Sequence, residues 1–178
     1  MLSMDRHSPQ QRHDNMAAIR SKDTRPEMIV RKWLWSRGFR YRINSTRLPG
    51  KPDIVLRKYR TCIFINGCFW HGHHVNFAQG DELPESSGCC KIPKTNTAFW
   101  GEKIRRNTER DAQVRAQLKR MGWNSLTVWT CQLRPKERDT TLRSLIHALD
   151  SIYLKNHFFF ASKFGQMKRL SMRRTDLG

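Results

Sequence analysis

Apolar positions in the first third of the chain change period twice. Ile29, Val30, Trp33 and Leu34 recur at the spacing that lines one face of a helix. Just ahead, Thr24-Arg25-Pro26-Glu27 has capping-box spacing: Thr24 is free to accept a first-turn N–H and Glu27 is able to reach back. Gly38 is placed to end this helix. Phe39 to Ile43 then alternates with period two and predicts a strand. Leu48-Pro49-Gly50-Lys51-Pro52 is a rigid turn that delivers Asp53 into a second strand, Ile54-Val55-Leu56. Arg57-Lys58 offers a tight reversal, so Tyr59 to Ile65, with its unbroken Cys62-Ile63-Phe64-Ile65 run, is expected to pair antiparallel beside it.

Val75 to Lys94 is rich in Gly, Ser and Pro and predicts an irregular loop. From Thr97 a long helical pattern runs through Phe99, Trp100, Ile104, Val114, Leu118 and Met121 and closes at Gly122. The strand Leu126-Thr127-Val128-Trp129 follows. A crossover through a long helix makes neighbouring strands parallel, so the expected fold class is α/β, with a mixed central sheet flanked by helices. Leu142, Leu145, Ile146, Leu149, Ile152 and Tyr153 form a final amphipathic helix, and no period is sustained beyond Lys155. The expected organisation is a basic arm over 1–14, a single domain over 15–155 that begins with a helical turn or two from Asn15 to Arg20, and a basic tail over 156–178.

Charge adds a partner to this outline. Thirty-four Lys and Arg against fifteen Asp and Glu give a formal charge of +19, spread along the whole length. A field of that size attracts polyanions, and nucleic acid becomes the leading partner. No apolar segment approaches the roughly eighteen residues a membrane span requires, and no amphipathic membrane helix stands out. Met1 to Asn15 is polar and basic with no apolar signal core, so a cytoplasmic, reducing compartment is expected. Five cysteines there are core thiols or metal ligands before they are disulfides.

Chemistry concentrates in Asn66-Gly67-Cys68-Phe69-Trp70-His71-Gly72-His73-His74, which follows the apolar run. Cys68 and His73, with the later Cys89, Cys90 and Cys131, offer the Cys₃His set that a tetrahedral structural Zn²⁺ takes, with His74 as a spare. Ordinary buried thiols are the alternative, which fits Cys62 in mid-strand best. Carboxylates on adjacent elements, here Asp53 and Glu27, can hold Mg²⁺ against a scissile phosphate. Each also has a local explanation: the capping box for Glu27, turn chemistry for Asp53. His71 is the side-chain type suited to proton transfer near neutral pH, one strand away from Asp53. Phe69-Trp70 either wedges between base steps or packs one ring on the metal site.

The stretches NMAAIRSKDTRPE, LPGKPDIVL, CIFINGCFWHGHH, IPKTNTAFWGEKIRRNTERD and GWNSLTVWTCQL together resemble the very short patch repair (Vsr) DNA mismatch endonucleases, over roughly Asn15 to Leu133. The resemblance implies a restriction-endonuclease-like core. It makes Asp53 and the backbone carbonyl of Ile65 the Mg²⁺ ligands, His71 the general base and Glu27 an acid that helps orient the water. It implies structural Zn²⁺ on Cys68, His73, Cys131 and one of Cys89 and Cys90, and a wedge of Met16, Phe69 and Trp70. The implied activity is a nick 5′ to the T of a T·G mispair left by deamination of 5-methylcytosine. The implied enzyme is a monomer on double-stranded DNA at the bacterial nucleoid, with mismatch-repair proteins as candidate partners. Asn66 departs from the pattern, standing where some relatives carry a histidine near the active site, so that any such role falls to an amide or is absent. Residues 75–88 look like an insertion, and the second acid and lysine customary in the wider nuclease fold are missing from Tyr59 to Ile65. Two other classes compete: a restriction- or homing-type nuclease on perfect duplex, and a non-catalytic zinc-stabilised DNA-binding module.

Overall fold

The computed structural model of the chain describes residues 22–76, 85–86, 88–93 and 96–172, with 8, 10, 11 and 14 ahead of them, and side chains in the last helix as far as His157. Met16 and the helical turn expected from Asn15 to Arg20 lie outside the described residues.

Helix α1 spans Arg25–Ser36 and starts where the capping spacing places it. The Glu27 carboxylate reaches back to accept the Thr24 hydroxyl at 2.8 Å and the Thr24 N–H at 3.4 Å, satisfying a donor that the helix itself leaves unpaired. Gly38, at φ +82, turns the chain out of the helix, and the Phe39 N–H bonds back to the Leu34 carbonyl. The strand expected from Phe39 shrinks to β1, Arg42–Ile43. Its partner β2 is only Ile54–Leu56, and Asn44, at φ +46, breaks the extended chain right after Ile43. Phe39 is buried in the main core instead, and the Tyr41 hydroxyl donates to the Arg31 carbonyl.

The reversal after β2 is a 3₁₀ turn, Arg57–Tyr59, closed by Arg60 in the left-handed region. Strand β3 therefore begins at Thr61 rather than Tyr59 and runs to Asn66, antiparallel to β2 with Ile54 opposite Ile63. The segment expected to be irregular contains a two-residue ladder, β4 (Val75–Asn76) against β5 (Glu85–Ser86). Helix α2 covers Thr97–Arg120, and Gly122, at φ +73, turns the chain away beyond its cap. Strand β6, Asn124–Trp129, lies parallel to β3 from Thr61↔Asn124 to Asn66↔Trp129. A 3₁₀ turn, Thr130–Leu133, leads to helix α3, Arg138–Met172, which continues well past the Lys155 at which the sequence period fades.

The main sheet has the order β1-β2-β3-β6 and is mixed, as the long crossover requires. Alternation along the strands feeds two cores. Ile54, Leu56 and Ile63 join Val30 and Leu34 of α1 and Leu142, Leu145 and Leu149 of α3. Val55 and Cys62 point the other way, onto Leu118, Val114 and Phe64. The sheet is thus covered by α1 and α3 on one face and α2 on the other, which is why its central strands read as continuous apolar runs. A Cβ on Gly50 would meet Val114 Cγ1 at 2.5 Å, so the turn before Asp53 is seated hard against α2. Among the described residues no helix is long and apolar enough to cross a membrane.

Candidate active site and metal cluster

Strand parity and the parallel pairing decide where the chemistry collects. Asp53 precedes Ile54 by one residue and shares the α2 face with Val55, while Asn66 shares it with Cys62 and Phe64. A cleft of about 210 Å³ opens there, lined by Lys51, Asp53, Ile65, Asn66, His71, Arg110, Asp111 and Arg115 among others. Asp53 Oδ2 accepts the Ile65 N–H at 2.7 Å. The N–H and C=O of one extended residue point to the same side, and the β2 ladder stops at Ile54, so the Ile65 carbonyl faces the cleft beyond the ladder's end.

Burial raises the Asp53 carboxyl above its usual range, and the Glu27 charge raises it further. The Ile65 N–H, Arg31 and His71 oppose that shift without cancelling it. The ionised form is under-compensated, which suits a carboxylate that holds a cation. Glu27 is not part of the cleft lining. Its oxygens are taken by Thr24, by the Asp23 N–H at 3.2 Å and by Arg31 Nη2 at 2.6 Å, and the buried Arg31 also pairs with Asp23. Glu27 therefore acts on Asp53 through its charge rather than by contact.

His71 Nδ1 lies 2.5 Å from Asp111 Oδ2, and the same oxygen accepts from Asn66 Nδ2 at 3.4 Å. Asn66 is 6% exposed. Asp111 is the residue sequence reasoning missed: it lies inside the NTERD stretch but among the many charges of α2, and the packing of α2 across the end of β3 is what brings it to His71 and Asn66.

Because β3 and β6 are parallel and in register, the loop after Asn66 and the turn after Trp129 leave the sheet at the same edge. That edge gathers a second group. The ligand atoms of Cys68, His73, Cys89 and Cys131 all lie within 4.8 Å of one another. His73 Nδ1 sits 3.1 Å from Cys89 Sγ and 3.4 Å from Cys131 Sγ, and its ring stacks on Trp129 at 4.1 Å. Of the adjacent pair, it is Cys89 that joins the cluster; Cys90 is fully buried, its Sγ 4.0 Å from the Phe69 carbonyl. Cys62 is likewise buried, in the sheet.

The donor set fits a tetrahedral soft-metal site. Burial lowers the pKa of His73, helped by His74, keeping the imidazole neutral as a ligand must be. Burial also pushes the Cys131 thiol up to about 12 and raises that of Cys89. At Cys68 burial is outweighed by hydrogen bonds from Thr130 and Cys131, and the net shift is downward. One thiolate is thus favoured while burial first, and the negative charge of Cys68 after it, disfavours ionisation of Cys131 and Cys89, a conflict that a cation among them removes.

Between the two sites, Phe69 and Trp70 are half-buried and pack edge-to-face at 5.0 Å. Trp100 of α2 completes the cluster at 5.3 Å from Phe69, with Lys103 5.4 Å from the Trp70 and Trp100 rings. The Asn107 amide donates to the Trp70 carbonyl at 2.8 Å and ties the loop to α2.

A family model described as DNA mismatch endonuclease Vsr matches residues 4–77. Over 121 residues the chain is 48% identical to the type II nicking enzyme V.NmeAIP of Neisseria meningitidis, covering 68% of this chain and 78% of that protein. It is 40% identical over 136 residues to the DNA mismatch endonuclease Vsr of Escherichia coli, 76% of this chain and 80% of that one. The type II nicking enzyme V.XorIIP of Xanthomonas oryzae is 41% identical over 129 residues. With the cleft and the basic charge, these relatives define a DNA endonuclease, a hydrolase whose partner is DNA. The chain belongs to the Vsr family of DNA mismatch endonucleases.

Proposed function

We propose that the protein nicks one strand of duplex DNA 5′ to the T of a T·G mispair, and that the cleft around Asp53 performs the hydrolysis. The observation that carries this reading is the convergence of the under-compensated Asp53 carboxylate, the Ile65 backbone and the His71–Asp111 pair on one cleft. His71 donates Nδ1–H to Asp111, which leaves Nε2 as an acceptor for the proton of the attacking water. Asp111 then stabilises the imidazolium, and Asn66, donating to the same carboxylate, fixes its orientation. Asp53 and the Ile65 carbonyl are the residues that would hold Mg²⁺, which supplies stabilisation of the charge that builds on the phosphate. Glu27 deepens the negative field at Asp53.

The Cys68, His73, Cys89 and Cys131 set is read as a structural Zn²⁺ site that fixes the loop carrying His71. Phe69 and Trp70 are read as the wedge at the mispair, because their rings stay half-exposed beside the cleft and next to Lys103. The mixed sheet, with its acid at the start of β2, supports a restriction-endonuclease-like core. A second reading, nicking of a perfectly paired site, draws support from the relatives named as type II nicking enzymes.

Strand-labelled duplexes carrying T·G or T·A in a panel of methylation-site contexts separate the two. A nick on the T strand at least 100-fold faster for T·G, the size of a discrimination worth about 3 kcal/mol, is expected. Equal rates select the second reading, and double-strand breaks contradict both.

A further inference from the structure

Lys51 occupies a backbone conformation that its residue type resists. Among the described residues, positive φ at non-glycine positions occurs at Asp23, Asn44, Asn96, Arg60, His74 and Lys51. Asp and Asn enter this region readily. Arg60 closes the β2–β3 reversal, and its guanidinium donates to the carbonyls of Gly122 and Met121, both at 3.0 Å. His74 borders the Cys/His cluster. Lys51, at φ +48, borders the cleft, and it precedes Pro52, a setting that pushes a residue toward extended backbone. Glycine would adopt this conformation without strain, so the lysine is explained by its side chain and not by the turn. Strain of this kind collects at functional sites and is held there by surrounding packing. Here that packing is the contact of Gly50 with Val114.

The cleft needs such a cation. Asp53 and Asp111 line it and Glu27 stands behind Asp53, yet a phosphodiester anion must enter. Strand β3, Thr61-Cys62-Ile63-Phe64-Ile65-Asn66, carries no lysine or arginine to meet it from the sheet. Arg110 lies 4.0 Å from Asp111 and is partly committed to that carboxylate, and Arg115, which also lines the cleft, is carried on α2, whereas Lys51 sits two residues from Asp53 on the same turn. Lys51 is exposed and, among the described residues, no hydrogen bond or ion pair engages its ammonium.

We propose that Lys51 is a catalytic residue whose ammonium binds a non-bridging oxygen of the phosphate under attack and neutralises charge as it builds there. The proposal rests on the endonuclease reading of the cleft. Its test compares wild type with Lys51→Met, Lys51→Arg, Lys51→Gly and Asp53→Ala in single-turnover nicking of a T·G duplex. DNA affinity is measured against salt without divalent cations, and Tm is measured for each variant. Lys51→Met is expected to slow nicking roughly 100-fold and to lower the slope of log affinity against log salt by about one. Lys51→Arg recovers most of both. Lys51→Gly melts no lower than wild type, because the relieved backbone strain offsets the freedom glycine gains in the unfolded chain, yet nicks as slowly as Lys51→Met. Lys51→Met nicking within twofold of wild type while Asp53→Ala is inactive overturns the role of Lys51 alone. Full activity in Lys51→Gly assigns the effect to backbone and also overturns it. Wild-type nicking by Asp53→Ala removes the cleft itself from the reaction.

Discussion

His71 and His73 are two residues apart, yet their rings belong to sites built in different ways. His71 bonds to Asp111 on α2 and shares its cleft with Asp53 at the head of β2 and Asn66 at the end of β3, all side chains mounted on or beside regular structure. His73 faces Cys68, Cys89 and Cys131, which sit in a loop, in the segment after β5 and in a 3₁₀ turn. Packing on both faces of the sheet gives the first site its shape whether or not a cation is bound. In the second, beyond the two-residue β4–β5 ladder, the segment is held by contacts among sulfur and imidazole groups that could take a metal ion. The cleft is therefore expected to lose chemistry without losing fold, and the cluster to lose fold first and chemistry with it.

The largest effect expected from this contrast is at the cluster. Cys68→Ser or Cys131→Ser is predicted to lose stoichiometric zinc, to cost about 4 kcal/mol or more of stability and to abolish nicking together with it. Metal analysis and thermal unfolding read this directly. Within the same pair of cysteines, Cys89→Ala should lose the metal, whereas Cys90→Ala should keep it at the cost of a small cavity, on the order of 1 kcal/mol. Retention of zinc by Cys89→Ala and its loss from Cys90→Ala would reverse the assignment made from the sulfur positions.

Next in size, His71→Ala should slow single-turnover nicking about 10²–10⁴-fold with an unchanged circular dichroism spectrum. Asp111→Asn removes the anion that fixes the His71 ring and should slow it roughly 10–100-fold, with zinc content intact. An Asp111→Asn protein as fast as wild type would show that the His71–Asp111 contact contributes nothing to the reaction.

The smallest effect is on stability. Burial, then Glu27, raises the Asp53 pKa. A carboxyl raised in the folded state favours folding while protonated, and that contribution is lost as pH rises through the folded-state value. Asp53→Asn keeps an acceptor for the Ile65 N–H and has no charge to desolvate, so it should melt above wild type at neutral pH, by about 2–4 °C per kcal/mol relieved. The gap should close as pH falls below the usual carboxylate range. Equal melting temperatures at neutral pH would mean that Asp53 is not strained by its surroundings.

Much of this was legible in the sequence because it depends on neighbours along the chain. The Thr24 to Glu27 cap, the glycine stops at Gly38 and Gly122, the apolar runs of β2 and β3 and the parallel crossover to β6 follow from spacing alone. What escaped depends on distant contacts. The strand expected from Phe39 was cut to Arg42–Ile43 because β2 offered too few partners, and Phe39 went to the core. The choice of Cys89 over Cys90 turns on which way each side chain leaves an irregular backbone. Asp111 carries no local mark, being one charge among many on a long helix, and acquires a role only across the 40 residues that separate it from His71. Glu27 shows the converse: its spacing was read correctly as a cap, and the same contacts that make the cap keep it out of the cleft.

If Asp53 holds the cation at the scissile phosphate, its carboxylate is needed for cleavage and not for recognition. Binding and nicking of one T·G duplex by wild type and Asp53→Asn, under identical salt and Mg²⁺, test it most directly. Mispair affinity within a few-fold of wild type and no detectable nick are expected of Asp53→Asn. An Asp53→Asn protein that nicks at the wild-type rate, or one that no longer tells T·G from T·A on binding, would contradict that role of the carboxylate.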